Sequence, residues 1–334
     1  MDFSSLKLNV AFNLMMKTTP ILLIRLGIML VFWLVAFIYL AIFGGIAVLL
    51  GNAVGGWLGF IVIILALIPV LPIYNLAYRY VFYMVKAAHV AVMAEMLTNE
   101  NLQLPAGRGQ LEWGRKRVEQ RFKQMNAMFV IDEVVRGVVK AFTRTVFNIA
   151  NWIPGDTIEQ LVKILNRVVT NAGNFIDEAV LARSFWHEEE NVWENARDGI
   201  VLYAMSWRPI IMTSVALMVI SYLPGVIVFV LLFAPIGFII SIFSQALAAW
   251  TFIFMFFLAW FVKVAIGDAF ATAAIIATYL DETKDLTPDP QMSAQLDQVS
   301  DQFKKLKRQA VKVATRQNDP SDIPDTPSEP ITDS

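Results

Sequence analysis

The chain alternates between long apolar blocks and shorter charged ones, and the blocks set its expected architecture. No Asp, Glu, Lys or Arg occurs from Leu26 to Tyr78, and none from Pro209 to Val262. A helix needs roughly 20 apolar residues to cross a bilayer core of about 30 Å, so each block has room for two crossings and a turn. The first crossing is predicted at residues 20–47, opening at Pro20, a residue that suits a first helical turn. The Gly-rich turn GNAVGGW leads to a second crossing at 57–79, where Pro69 and Pro72 predict kinks. The third is predicted at 209–233, followed by a turn at FAPIG and a fourth crossing at 238–263. Trp57, Trp207 and Trp260 fall near these boundaries, at the depth Trp prefers. The expected fold class is an all-α integral membrane protein with four transmembrane helices, arranged as two tandem helical hairpins with cytoplasmic amphipathic helices.

The two blocks also look like copies. Pro20-Ile-Leu-Leu-Ile-Arg-Leu-Gly-Ile-Met aligns with Pro209-Ile-Ile-Met-Thr-Ser-Val-Ala-Leu-Met, with Pro, Ile and Met coinciding. Arg79 and Lys263 end the second and fourth crossings. Pro105 and Pro288 follow Leu97 and Leu280 at equal distance, and Val118-Glu-Gln-Arg-Phe-Lys-Gln-Met125 matches Val299-Ser-Asp-Gln-Phe-Lys-Lys-Leu306. The last match is soluble sequence, so apolar composition alone does not produce it. A parallel internal repeat is therefore expected. The first unit is 1–125, with a cytoplasmic extension at 80–125. The second is 197–308, with its extension at 264–308. An insert of 126–196 lies between them, and 309–334 is a Pro- and Asp-rich tail expected to be disordered.

Within the insert, Ile131, Val134, Val135, Val138, Val139, Phe142, Val146 and Ile149 step along one helix face, and Arg136, Lys140 and Arg144 form a stripe on another. After WIPGDT, the apolar positions from Ile158 to Ile176 predict a second amphipathic helix. From Arg108 to Arg144 the sequence carries nine Lys or Arg against four Asp or Glu. A basic amphipathic surface beside a membrane attracts anionic headgroups, at about 1 kcal/mol per cation. Arg115, Lys116, Arg117, Arg121, Arg136, Lys140 and Arg144 are the expected anionic-lipid or partner surface. Packing of the insert as a small cytoplasmic domain is the companion expectation.

Composition sharpens this in three ways. The 334 residues are 57% hydrophobic and 16% charged, with mean hydropathy +0.57, a charge content well below the quarter usual for soluble domains. The formal net charge of −1 gives no global bias toward nucleic acid, and none is expected as a partner. The absence of cysteine removes disulfides, thiolate catalysis and Cys-based metal sites. The N-terminus lacks a short apolar core followed by a small-residue cleavage site, so it reads as an uncleaved start. Lys and Arg flank the four crossings on one side only, while the turns carry none. Both termini are thus expected in the cytoplasm, in a prokaryotic plasma (inner) membrane.

Candidate chemistry is sparse. His89 reads as a packing histidine. His187 lies beside Glu188, Glu189 and Glu190, but no second His stands at i+4 to make a zinc helix, and a solvated helix start is expected instead. Ser184 has no nucleophile-elbow context. No cofactor and no enzymatic activity are expected. Carriers place ionisable groups at membrane depth, and both blocks are charge-free, so a pore built by one chain is not expected. Lys263 and Asp268 are the candidate polar path of an oligomeric one. The expected function is membrane-organising or partner-binding, with a homo-oligomer or another membrane protein as partner.

Three segments, KILNR (Lys163 to Arg167), ENARDGIVLYAMSW (Glu194 to Trp207) and ATAAIIATYLDE (Ala271 to Glu282), resemble parts of the C-terminal third of choline-transporter-like proteins. That family has many more crossings, and its cysteines are missing here. The resemblance implies a second functional expectation, transport of a small solute.

Overall fold

The structure, a computed structural model, describes residues 6–99, 101–122, 125–146, 173, 175–243 and 245–317. Every secondary-structure element among them is helical. The first group is α1 (Leu8–Lys17), α2 (Thr19–Val54), α3 (Gly56–Leu67), α4 (Val70–Ala77) and α5 (Tyr83–Thr98), with a π-helical turn at Tyr78–Phe82 joining the last two. Then come α6 (Gly109–Phe122), α7 (Met125–Val146) and α8 (Val192–Met205). The third group is α9 (Trp207–Ile220), α10 (Leu223–Phe243), α11 (Gln245–Val262) and α12 (Asp268–Thr283), with a second π-helical turn at Lys263–Gly267 between the last two. The chain continues into α13 (Pro290–Val299) and α14 (Asp301–Gln317). The break WIPGDT, all but the end of the expected helix at 158–176, and the tail from 318 onward lie outside the described residues.

Four helical rods are long and apolar enough to cross a membrane: Thr19–Val54, Gly56–Thr98, Trp207–Ile242 and Met255–Thr283. The chain is an integral membrane protein. The first and third rods have 36 residues each, about 54 Å at 1.5 Å per residue, against about 30 Å of hydrocarbon. Burial shows where the extra length goes. Leu30, Val35 and Leu49 of α2, Phe60 and Leu65 of α3, Val230 and Leu231 of α10, and Phe256 of α11 are exposed. Large apolar side chains on every face of a rod mark a lipid-facing surface. By contrast α5 and α12, the continuations of the second and fourth rods, are enclosed by protein. Ala88, Val92 and Met93 of α5 and the whole run Ala271–Tyr279 of α12 are buried. Their many alanines let neighbouring helices approach from all sides.

The starts of the charge-free blocks are partly enclosed by protein, and one boundary differs from the sequence expectation. Ile21 and Leu22 of α2, and Ile210, Ile211, Ser214 and Leu217 of α9, are buried. Leu23 and Met212 between them are exposed, so the first turns of both rods are enclosed on one side only. Absence of charge marks burial in lipid and burial in protein equally, and both occur within the charge-free blocks. The turn expected at FAPIG is helical: α10 runs through Pro235 to Phe243. Proline removes a single helical hydrogen bond. In an apolar surround, opening the helix there would strand several peptide groups, so continuing is cheaper. The first turn does lie in its Gly-rich segment, at Gly55, whose φ of 139° suits glycine. The break at residues 68–69 coincides with Pro69.

α2 lies along α3, and α10 along α11. Trp33 of α2 joins the two pairs, its ring centroid 5.8 Å from Phe257 and 5.1 Å from Phe261 of α11. Beyond the exposed apolar band, α12 packs against α1, α5, α8 and α9, while α14 covers α7 and α8. The apolar face of α7 (Ile131, Val135, Val138, Val139, Phe142) is buried in one core with Ile200, Tyr203, Tyr279, Phe303 and Leu306. Helix α1, absent from the sequence reading, buries Ala11, Leu14 and Met15.

The second π-turn has a steric requirement. A Cβ on Gly267 would collide with the Ser221 backbone carbonyl, whereas one on Gly27 would meet nothing within 4 Å. Gly267→Ala should therefore destabilise the protein by about 2 kcal/mol or more, seen as a lower unfolding temperature in detergent. Gly27→Ala should be neutral or stabilising by up to about 1 kcal/mol, because alanine favours helix.

Candidate functional site

Where α5 and α12 leave the exposed apolar band, the helices enclose a cavity of about 430 Å³. α2 contributes Arg25, Met29 and Trp33. Tyr78 and Phe82 come from the first π-turn, and Lys263 from the second. α5 supplies Tyr83 and Lys86, α7 supplies Arg136, helical residues 175–182 supply Glu178, and α12 supplies Asp268 and Thr272. Tyr222 and Trp260 complete an aromatic side. The π-turns matter here because each widens its helix by one residue, a distortion common at functional sites.

The charges form defined pairs. Lys86 is ion-paired with Glu178, and the Thr272 hydroxyl donates to Glu178 Oε2 at 2.9 Å. Arg136 is a fork between two carboxylates: Nε donates to Asp177 Oδ2 at 2.7 Å, and Nη2 donates to Asp132 Oδ2 at 2.8 Å. Lys263 Nζ lies 2.7 Å from Asp268 Oδ1, and over the rings of Tyr222 and Trp260 at 4.7 and 5.6 Å. Arg25 has no hydrogen bond or ion pair with another described residue, though Glu178 and Asp268 attract it. The Tyr83 hydroxyl is buried without a hydrogen-bond partner among the described residues. Burial pushes the Asp177 carboxyl well above the usual carboxylate range; the nearby Asp132 carboxylate adds to this, and Arg136 offsets only part. Burial likewise raises Asp132, against the pull of Lys86 and Arg136. Two carboxylates on one guanidinium thus retain a proton more readily than free ones.

Several sequence candidates meet here. Lys263 and Asp268 are brought together on the cavity wall. Arg136 belongs to the internal cluster, and its two carboxylate partners take it out of the expected basic surface stripe. Arg117 is held by Glu95 and Glu188. Arg121 donates to the carbonyls of Ser184 at 2.5 Å and His187 at 2.9 Å, and to that of Glu190. Arg115, Lys116, Lys140 and Arg144 are exposed, Arg115 with Glu119 at 3.2 Å. His89 is buried with Nε2 2.9 Å from Thr18 Oγ1. The Thr18 hydroxyl proton already goes to the Leu14 carbonyl, so Nε2–H is the donor in that contact. His187 Nδ1 lies 3.3 Å from Glu189, and Glu190 could reach the same point, but Arg183 already holds Glu190. Asn191 caps α8 just beyond, its side chain accepting from the amides of Trp193 and Glu194. Ser184 Oγ is buried and makes no bond to His187.

Sequence reasoning missed Arg25, Tyr83, Lys86, Asp132, Asp177 and Glu178 as a group. Two signals were present: Asp132 and Arg136 stand at i and i+4, and Asp177-Glu178 interrupts an apolar run from Phe175 to Val180. Nothing in the sequence tied either to Arg25, roughly 110 residues or more away. Two of the segments that carry the choline-transporter-like resemblance lie side by side, as α8 and α12, where the Tyr279 hydroxyl donates to the Gly199 carbonyl at 2.9 Å.

No protein-family model, no curated protein and no solved structure matches the chain.

The raised carboxyls give a pH dependence of defined sign. Between the ordinary Asp value of 3.8 and the raised folded value, the folded state binds more protons than the unfolded one. Stability therefore falls as pH rises through that window, by at most about 1.4 kcal/mol per pH unit per retained proton. Unfolding temperatures in nanodiscs between pH 5 and 8 should decline, and Asp177→Asn should flatten the decline.

Proposed function

We propose that this is a non-enzymatic polytopic membrane protein that works by binding. Its helical body, directly continuous with the membrane rods, organises membrane or protein partners, and the cavity at the junction takes a ligand. The observation that carries this reading is the cavity itself. It sits at the edge of the exposed apolar band, is lined by charged and aromatic side chains, and holds an Arg25 guanidinium with no ion pair and a Tyr83 phenol with no hydrogen-bond partner among the described residues. The exposed cations Arg115, Lys116, Lys140 and Arg144 remain the proposed surface for anionic lipids or an acidic partner. In this reading both termini lie in the cytoplasm of a prokaryotic inner membrane.

The same reading treats the two rod pairs as tandem hairpins of a parallel repeat. In support, the first and third rods have the same length of 36 residues, and each second rod changes to a π-turn at its exit, Tyr78–Phe82 and Lys263–Gly267. A second function, oligomeric transport or channel activity for a small solute, is favoured by one observation: the Lys263–Asp268 pair faces the cavity between the rod pairs.

Native mass spectrometry of the gently extracted full-length protein separates these readings. The binding reading expects a retained ligand or partner, with the ligand lost on filling the cavity by Met218→Trp. A bare chain under all extraction conditions contradicts it. Transport expects solute flux in proteoliposomes that Asp268→Asn abolishes. Reporter fusions at Gly55 should report the side opposite the termini, and a cytoplasmic signal there would overturn the topology.

A further inference from the structure

We infer that the junction cavity holds the headgroup of an anionic phospholipid, with Arg25 and Tyr83 as the donors to its phosphate. The inference rests on the cavity being a ligand site, as proposed above, and adds the chemistry of what fills it.

The pairing of charges around the cavity calls for an anion. Lys86, Arg136 and Lys263 each have a carboxylate in direct contact, while Arg25 has none among the described residues. Four cations (Arg25, Lys86, Arg136, Lys263) meet four carboxylates (Asp132, Asp177, Glu178, Asp268). Because Asp132 and Asp177 converge on one arginine, a proton kept there leaves the cluster with an excess positive charge. An unpaired guanidinium in a confined site is costly unless an anion joins it.

The Tyr83 phenol calls for an acceptor on grounds other than charge. Tyr83 is 4% exposed and lines the cavity, and its O–H has no acceptor among the described residues. Buried polar groups are nearly always bonded. An unused phenolic proton and an unused guanidinium require the same thing: several acceptor oxygens on one anionic group. A phosphate diester supplies them and matches the guanidinium fork.

The apolar wall and aromatic rim favour a lipid over a soluble phosphate. Met29, Trp33 and Phe261 give the cavity an apolar wall, and Tyr74, Tyr222 and Trp260 line it while exposed at its rim. Those rings stand at the edge of the lipid-facing band, the depth of headgroups. A headgroup can enter there with its acyl chains still in the bilayer, whereas a free ion would lose its hydration for an apolar wall.

The test uses the full-length protein in nanodiscs of mixed phosphatidylglycerol and phosphatidylcholine, then extraction and counting of retained lipids by native mass spectrometry. Wild type should retain phosphatidylglycerol selectively. Arg25→Gln should cut that retention about tenfold or more, the loss expected for one charge-assisted bond, and Arg25→Lys should keep part of it. Arg208→Gln removes an exposed cation stacked on Trp207, outside the cavity, and should leave retention unchanged. Unfolding temperatures confirm that each variant is folded. Equal retention in wild type and Arg25→Gln, or equal losses in Arg25→Gln and Arg208→Gln, would overturn the inference. Displacement of the lipid by millimolar inorganic phosphate would also overturn it, in favour of the soluble ion. If Met218→Trp removes a ligand that Arg25→Gln leaves in place, the cavity is a ligand site but not for an anionic headgroup. If Met218→Trp removes nothing, the binding reading fails with it.

Discussion

A helix that leaves a bilayer must exchange lipid for protein around its whole circumference, because neither apolar side chains nor peptide groups gain from facing water. In this protein α5 and α12 make that exchange without ending. Each is the direct extension of a membrane-crossing rod, and each is enclosed by α1, α6, α8 or α9 as soon as the exposed band stops. The rest of the structure follows from that requirement. Ala-rich sequence lets neighbours approach on every side, and glycines at Gly114, Gly225 and Gly267 stand where a Cβ would strike a facing carbonyl. The π-turns at the two exits adjust the rotation of the buried half relative to the lipid-facing half.

The exits are also where charge collects. In the exposed band the rods are free of ionisable groups, and within the body most charges are at the surface. Between them Arg25, Lys86, Arg136 and Lys263 face Asp132, Asp177, Glu178 and Asp268. Such a cluster is poor value as glue, since desolvation of the ions consumes most of their attraction. Its contribution is better sought in specificity: it fixes helix rotation at the junction and offers donors to whatever enters the cavity.

The four rods were legible because two uncharged stretches of that length have few soluble alternatives. The limits of the rods were less legible, since Ile21, Leu22 and Met29, and Ile210, Ile211 and Leu217, read as lipid-facing but are buried in protein. The turn at Pro235 was misread because proline breaks helices in water far more readily than in an apolar surround. The apolar positions Ile131, Val135, Val138, Val139 and Phe142 of α7 are buried, and α8 and α14 pack against that helix. The cavity was the least legible feature. Lys263 and Asp268 are near neighbours and could be paired by eye, but Arg25, Tyr83 and Glu178 meet only through the packing of three distant segments.

The account stands on the exposed apolar band facing lipid while α14 faces water. The native chain contains no cysteine, so single cysteines can carry spin labels without background. Leu65, Val230 and Val311 are 59%, 64% and 57% exposed, which makes them equivalent in everything but surroundings. In lipid nanodiscs, labels at Leu65→Cys and Val230→Cys should relax with oxygen and resist a water-soluble nickel complex, and Val311→Cys should do the reverse. Nickel accessibility at Leu65 or Val230 equal to that at Val311 would contradict the account.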